Sequence, residues 1–125
     1  MIKKIAFVSL RSKDIDADKR FYGELLGLKL TSDHKFELED GTARQWVEFD
    51  TPEGKSIAIE TCSPPATPTT LALETDDIEA EVARLKAAGV AFEGGIQDNK
   101  VCKMAWAIAP SGQAIMLHQI APDRA

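Results

Sequence analysis

The sequence is poor in cysteine and histidine, with two of each among 125 residues. Cys62 and Cys102 form no CxxC motif and have no histidine beside them, which excludes a paired redox site and a zinc knuckle. A catalytic thiol needs a base, and none lies close to either cysteine in the sequence. We therefore interpret both as reduced thiols on half-buried strands.

Long apolar runs and an excess of basic residues are also missing. The apolar start of the chain is interrupted by Ser9 and Arg11, so it is too short for a signal peptide, and no stretch reaches the roughly 18 apolar residues of a membrane span. Lys and Arg number 15 against 20 Asp and Glu, a net charge of −5 that repels phosphate backbones and anionic membranes. We expect a cytoplasmic protein that binds neither nucleic acid nor membranes.

The chain does contain a regular order of strand and helix signals that occurs twice. The first half predicts a strand at 5–10, a helix capped at Asp14 and ended by Gly27, and extended segments at 28–32, 36–38, 45–50 and 56–62. A proline-rich connector follows at 63–69. The second half predicts a strand at 70–74, a helix at 78–88 ended by Gly89, and strands at 90–93, 104–109 and 114–119.

Three landmarks support an internal repeat. They are Asp14-Ile15-Asp16 with Asp77-Ile78-Glu79, Gly27 with Gly89, and Pro52-Glu53-Gly54 with Pro110-Ser111-Gly112. We predict an α+β fold in which residues 1–125 form one domain of two tandem βαβββ modules, 1–62 and 70–120. Each module covers one face of its sheet with its helix, which leaves a cup-shaped second face.

Alternation along the strands predicts which side chains line each face. The core face receives Ala6, Val8, Leu10, Val47, Phe49, Ile57, Ile59, Leu71 and Leu73. The cup face receives Phe7, Ser9, Arg11, Trp46, Glu48, Ser56, Ala58, Glu60, Thr70, Ala72, Glu74, Met104, Trp106, Ala114, Met116 and His118. An apolar surface with a few ionisable groups is typical of a small-molecule site. His34, within a polar stretch, is predicted to lie in a loop.

The sequence resembles a known superfamily over nearly its whole length. The resemblance rests on IAFVSLRSKDIDADKRFYGELLGLKL, TDDIEAEVARLKAAGV and APSGQAIMLHQ, which are similar to the vicinal oxygen chelate proteins, the glyoxalase, bleomycin-resistance and extradiol-dioxygenase group. It implies paired βαβββ modules, a cup-shaped site and a homodimer. It also implies that Arg11 occupies a place where glutathione-handling relatives carry an arginine, and that Met104 and Trp106 line a hydrophobic substrate pocket.

The resemblance further implies four ligand positions for a divalent metal, and this chain has Phe7, Glu60, Thr70 and Met116 there. One carboxylate cannot hold a catalytic cation, because such sites need about three protein ligands. We therefore expect no metal cofactor. A rearranged site of Glu60, His118 and Glu48 is the alternative.

Two further sets of alternatives stay open. Glu60 is either a general base or a carboxylate paired with Arg11, Lys103 or a partner chain. Trp46 and Trp106 either stack on a planar ligand or pack in a dimer interface.

The leading hypothesis is a metal-free member of this group that binds a small, partly apolar molecule through Phe7, Ser9, Arg11, Trp46, Glu48, Glu60, Met104, Trp106, Met116 and His118. The alternative is a glyoxalase-like lyase or isomerase, with Glu60 as the catalytic base and Arg11 stabilising an oxyanion. A third hypothesis is a dimeric structural or regulatory domain whose cup is filled by its own side chains.

Overall fold

The computed structural model describes residues 1–62, 69–110 and 112–124. The elements of the first half are β1 (Ile2–Arg11), α1 (Ile15–Lys19) continued by a π-helix (Arg20–Leu25), β2 (Lys29–Glu37), β3 (Ala43–Asp50) and β4 (Ser56–Glu60). Those of the second half are β5 (Thr69–Thr75), α2 (Ile78–Ala87), β6 (Ala91–Asp98), β7 (Cys102–Ile108), β8 (Ala114–Ile120) and a 3₁₀-helix (Pro122–Arg124). The predicted α+β fold of two βαβββ modules is confirmed. No helix in these ranges is long and apolar enough to cross a bilayer.

Contacts within the chain divide it into two compact units. The first unit is Phe7–Thr70, and the second combines Met1–Ala6 with Leu71–Ala125. Strand β1 therefore contributes to both. The predicted connector lies almost wholly at 63–68, outside the described residues, and its last residue, Thr69, already belongs to β5.

The first unit is a four-stranded sheet covered on one face by the helical segment. Its strand order is β2-β3-β4-β1, with β1 parallel to β4 and the other pairs antiparallel. Val47, Phe49 and Ile59 are fully buried, and Ile15 and Tyr22 of the helical segment pack against them. The alternation predicted for β3 and β4 is therefore confirmed, because the apolar residues face the helix.

The helical segment of the first unit begins as predicted and then widens. Asp14 caps it by accepting a hydrogen bond from the Ala17 N–H at 3.1 Å. The α-helix ends at Lys19, and the following six residues form a π-helix, which the sequence pattern did not indicate. A Cβ atom at Gly23 would lie 3.2 Å from Phe49 Cε1, so this segment approaches the sheet closely.

Strand β2 differs from the prediction, which had two short segments separated by a loop at His34. The structure has one continuous strand, Lys29–Glu37, and the His34 ring stacks on Phe36 with centroids 5.8 Å apart. The polar residues are accommodated because β2 is an edge strand that pairs only with β3. Asp33, for example, accepts hydrogen bonds from Lys19 Nζ and Gln45 Nε2. The loop prediction for His34 was wrong.

The second unit repeats the arrangement with the strand order β5-β8-β7-β6. Its core consists of Ile78 and Val82 of α2 packed with Ala105 and Leu117 of the sheet. Leu73 lies in register with Leu117 on the face toward α2, as expected, but it is only half-buried.

Local hydrogen bonds confirm the internal repeat. Asp77 caps α2 through the Ala80 N–H at 3.1 Å, as Asp14 caps α1. The turn before β4 is closed by Gly54 N–H donating to the Thr51 carbonyl, and the turn before β8 by Gly112 N–H donating to the Ala109 carbonyl. Both glycines have positive φ, +85° and +90°, which explains why glycine stands at these turns.

Candidate functional site

The sheet surface of the first unit that lies opposite its helix is called here the first face. Strand pairing places on it the residues Phe7, Ser9, Arg11, Trp46, Glu48, Ala58 and Glu60. Phe7 and Trp46 meet edge to face, with centroids 5.4 Å apart and an interplanar angle of 85°. The indole N–H of Trp46 donates to Glu48 Oε1 at 2.7 Å. These contacts hold the two aromatic rings in fixed orientations.

A charged pair of positions lies beside the aromatic rings. Arg11 and Glu60 are partners in the parallel register of β1 and β4, and Trp46 is the partner of Glu60 on β3. Glu60 is only 2% exposed, and its Oε2 accepts the backbone N–H of Cys62 at 2.7 Å. The first face therefore combines an apolar aromatic surface with an oriented carboxylate and a neighbouring guanidinium.

The residues at the family's metal positions do not fit a divalent ion. Phe7 offers no donor atom, and Met116 offers a thioether, a poor ligand for hard cations. The strand registers also show that Ala58 is the repeat equivalent of Met116, because Ala58 pairs with Ser9 on β1 and Met116 pairs with Ala72 on β5. The position that matches Met116 is therefore Ala58 and not Glu60, so the implied ligand positions contain no carboxylate.

The rearranged site also lacks support. Within residues 1–62, 69–110 and 112–124, no group of three or more His, Cys, Asp and Glu side chains could hold a metal ion. Glu48 bonds to Trp46, and His118 bonds to Glu74. We derive no chemistry through a metal.

The sheet surface of the second unit that lies opposite α2 is called here the second face. Its register brings together Met104 with His118, and Trp106 with Met116. On β5, Ala72 is in register with Met116, and Glu74 is in register with His118. All four residues predicted for ligand contact in this half therefore share one face of one unit.

A buried acid and imidazole pair lies at one end of the second face. His118 Nδ1 and Glu74 Oε1 are 2.6 Å apart, and the two residues are 8% and 5% exposed. Glu74 Oε2 accepts the backbone N–H of Ile120 at 2.8 Å, so both carboxylate oxygens are used. Burial lowers the pKa of His118, but its hydrogen bonds with Cys102 and Glu74 outweigh burial and leave that pKa raised.

The two cysteines have different surroundings, which the sequence did not indicate. Both are free and half-buried, as expected. Cys102, however, lies on the same face as His118 of the neighbouring strand, and its interaction with the imidazole contributes to the raised His118 pKa, so a base that is distant in the sequence is close to this thiol in the fold. Burial, followed by the charge of Glu60, raises the pKa of Cys62 to about 11.

A shallow hollow of about 600 Å³ lies elsewhere in the first unit. It is lined by residues 35–37 of β2, 43–45 of β3 and Thr61, and it includes no residue predicted for ligand contact. Among the described residues, Arg44 Nε is the buried side-chain polar atom without a hydrogen-bond partner, and Arg44 lines this hollow. The hollow is wide open and brings together charges of both signs, so we place the candidate site on the two faces instead.

Comparison with protein families gives a match over most of the chain. The profile of the Glyoxalase/Bleomycin resistance protein/Dioxygenase superfamily matches residues 4–116. Among curated proteins, no significant sequence match is found.

Solved structures are similar in fold at low sequence identity. Methylmalonyl-CoA epimerase from Mycobacterium tuberculosis has a TM-score of 0.77 and 18% identity, covering 98% of this chain and 91% of the epimerase. Hypothetical protein BH1468 from Bacillus halodurans has a TM-score of 0.75 and 17% identity, with 94% of each chain covered. A variant of Streptomyces coelicolor methylmalonyl-CoA epimerase, in complex with 2-nitronate-propionyl-CoA, has a TM-score of 0.71 and 18% identity, covering 97% of this chain and 99% of the epimerase. At these identities the likeness establishes the fold alone.

Proposed function

We propose that this chain, which belongs to the glyoxalase/bleomycin resistance protein/dioxygenase superfamily, binds a small, partly apolar molecule on its first face. The observation that carries the proposal is the fixed aromatic pair of Phe7 and Trp46 beside the charged positions Arg11 and Glu60. Aromatic surface supplies contact area, and a few oriented polar groups supply specificity. The ligand therefore has an apolar part and a polar or charged group.

The proposal does not require a metal. Phe7 and Ala58 contribute apolar surface where a metal site would need donor atoms. A drier surface strengthens each remaining electrostatic contact. Arg11 then selects ligands that carry a carboxylate or another anionic group.

Two probes with an apolar part and an anionic part test the proposal. S-hexylglutathione is a thiol conjugate, and propionyl-CoA is an acyl thioester related to the compound bound in the Streptomyces coelicolor epimerase. We expect at least one of them to raise the melting temperature and to quench Trp46 fluorescence in a Trp106→Phe background. Trp46→Phe and Arg11→Gln should each weaken binding about 10-fold.

Phe21→Leu is the matched control, because Phe21 is an exposed ring of the helical segment, which covers the opposite face of the sheet. It should leave binding unchanged. If neither probe shifts melting or quenches Trp46, or if Phe21→Leu weakens binding as much as Trp46→Phe does, the proposed first-face site is wrong. Titrating the probes against Trp106→Phe separately tests the prediction that second-face residues also contact the ligand.

The second candidate function is a proton-transfer enzyme, a glyoxalase-like lyase or isomerase. The buried position of Glu60 favours it, because the Cys62 N–H orients a carboxylate that is shielded from water and could act as a general base. Arg11 would stabilise the developing oxyanion. Incubating methylmalonyl-CoA with the protein in D₂O and following α-deuterium incorporation tests this role, which Glu60→Gln should abolish.

The homodimer stays a prediction. Sedimentation at micromolar concentration measures it directly. A single species at the chain mass of 13.6 kDa would contradict it.

A further inference from the structure

The second unit contains a chain of three chemically complementary side chains that the proposed function does not use. Glu74, His118 and Cys102 come from β5, β8 and β7, which are neighbours in the sheet. Glu74 is in register with His118, and His118 is in register with Met104, two residues from Cys102 on the same face. A carboxylate, an imidazole and a thiol therefore follow one another across three strands.

The hydrogen bonds orient this chain of groups. The carboxylate of Glu74 holds His118 Nδ1 at 2.6 Å and is itself anchored by the Ile120 N–H at 2.8 Å. Cys102 lies on the same face as His118, diagonal to it across the β7–β8 pair, and its interaction with the imidazole contributes to the raised pKa of His118. A base oriented by a third group and touching a thiol is the arrangement that activates cysteine nucleophiles.

The residue that carries the thiol is not fully buried. Cys102 is half-buried at the first position of β7, next to the exposed turn that contains Asn99. The side-chain amide of Asn99 lies 3.9 Å from its sulfur. In the register, Ile120 lies opposite Cys102 and Met104 opposite His118, so apolar groups flank the sulfur.

We propose that Cys102 is a nucleophilic thiol that forms thioether adducts with small α,β-unsaturated carbonyl compounds, with His118 as its proton acceptor and Glu74 as the residue that positions the imidazole. A soft sulfur nucleophile flanked by apolar side chains suits a soft carbon electrophile with a short apolar chain. The assignment is independent of ligand binding on the first face.

The reaction balances without an oxidant or a metal. The S–H proton of Cys102 passes to the His118 imidazole, and the sulfur electron pair forms a bond to the β-carbon of the electrophile. The π electrons of the carbon–carbon double bond move toward the carbonyl and give an enolate. The enolate α-carbon then takes the proton from the His118 imidazolium, so the net result is addition of S–H across the double bond.

Cys62 supplies an internal control of similar exposure and opposite surroundings. Burial and Glu60 raise its pKa to about 11, so at pH 7 about one molecule in 10⁴ carries the thiolate. An unperturbed thiol with a pKa near 8.5 is about 3% ionised at pH 7. Cys62 should therefore react far more slowly than such a thiol.

The test is the reaction of the intact chain with methyl vinyl ketone at pH 7, with each cysteine followed by peptide mass spectrometry. We expect Cys102 to react about 10-fold faster than N-acetylcysteine and about 100-fold faster than Cys62. The two cysteines compete within one molecule, so this ratio requires no substitution. Equal rates at the two cysteines, or a Cys102 rate below that of N-acetylcysteine, would overturn the proposal.

Variants separate activation from simple access. His118→Gln should reduce the Cys102 rate to that of N-acetylcysteine or below, and Glu74→Gln should reduce it about 3-fold to 10-fold by releasing the imidazole. Leu85→Met, a conservative change on α2, which covers the opposite face of the sheet, should leave the rate unchanged. An unchanged rate in His118→Gln, with the circular dichroism of the folded protein retained, would refute the role of His118. A changed His118 proton NMR titration in Glu74→Gln distinguishes positioning of the imidazole from general loss of structure.

Discussion

In the first unit the arginine is on the first strand, at Arg11, and the acid is on the last, at Glu60. In the second unit the acid is on the first strand, at Glu74, and the imidazole of His118 is on the last. The two pairs occupy equivalent places in the parallel registers of β1 with β4 and of β5 with β8. The repeated backbone therefore presents one pair of positions twice, with the acid on the last strand in the first unit and on the first strand in the second.

Because the acid is on different strands in the two units, the cysteine that follows or faces the pair has a different neighbour in each. Burial disfavours the thiolate of Cys62, and the negative charge of neighbouring Glu60 disfavours it further. Cys102 lies beside an imidazole, which can accept its proton. Two half-buried thiols thus have different neighbours, an acid in one unit and an imidazole in the other, and burial adds to the effect of the acid on Cys62.

The largest expected effect is the pH response of Cys62, which tests whether its surroundings suppress the thiolate. In a Cys102→Ser variant, the alkylation rate of Cys62 by iodoacetamide should rise about 10-fold per pH unit up to a pH of about 11, because only the thiolate reacts and its pKa is raised to about 11. The chain unfolded in urea is the control and should reach its plateau near pH 8.5 to 9. A folded-state plateau at the same pH would show that neither burial nor the acid neighbour raises the pKa of Cys62.

Removal of the buried acid should have the next largest effect. Glu74→Ala leaves the His118 imidazole and the Ile120 N–H without their acceptor, and the free energy of unfolding should fall by about 2 to 3 kcal/mol. Asp76→Ala removes an exposed pair with Lys3 and should change that free energy little. Urea unfolding measures both, and equal losses would contradict the structural importance of the Glu74 and His118 pair.

The smallest effect tests what the two units share. Asp14→Ala and Asp77→Ala each remove an N-cap acceptor, and each should cost about 1 kcal/mol of unfolding free energy. Asparagine at either position keeps an acceptor and should preserve stability. If the two alanine variants lose very different amounts of unfolding free energy, the π-helix that follows α1 alters the contribution of the Asp14 cap to stability.

The fold was predictable because the repeat is encoded in local signals. Asp14, Gly54 and Gly112 each impose a cap or a turn through their own backbone or side-chain geometry. The two faces of β3 follow from alternation, since Val47 and Phe49 are buried and Trp46 lies on the other side. These features depend on residues close together in the sequence.

The features that the sequence did not predict depend on pairing between distant strands. Cys102 meets His118 only because β7 and β8 adopt one register, and a shift of one residue would separate them. His34 enters a strand because partners across the sheet and on the helix satisfy neighbouring Asp33. Neither relation is visible to local propensity, because the partners are 12 or more residues away.

The close approach of Gly23 to Phe49 imposes a joint constraint on how this family member can diverge. A side chain added at position 23 would have to displace the Phe49 ring by a few tenths of an ångström within a filled core. Enlargement at 23 is therefore compatible with the fold when position 49 becomes smaller in the same lineage. In relatives that share the π-helix, the side chains at these two positions should vary together, so that the sum of their volumes stays constant.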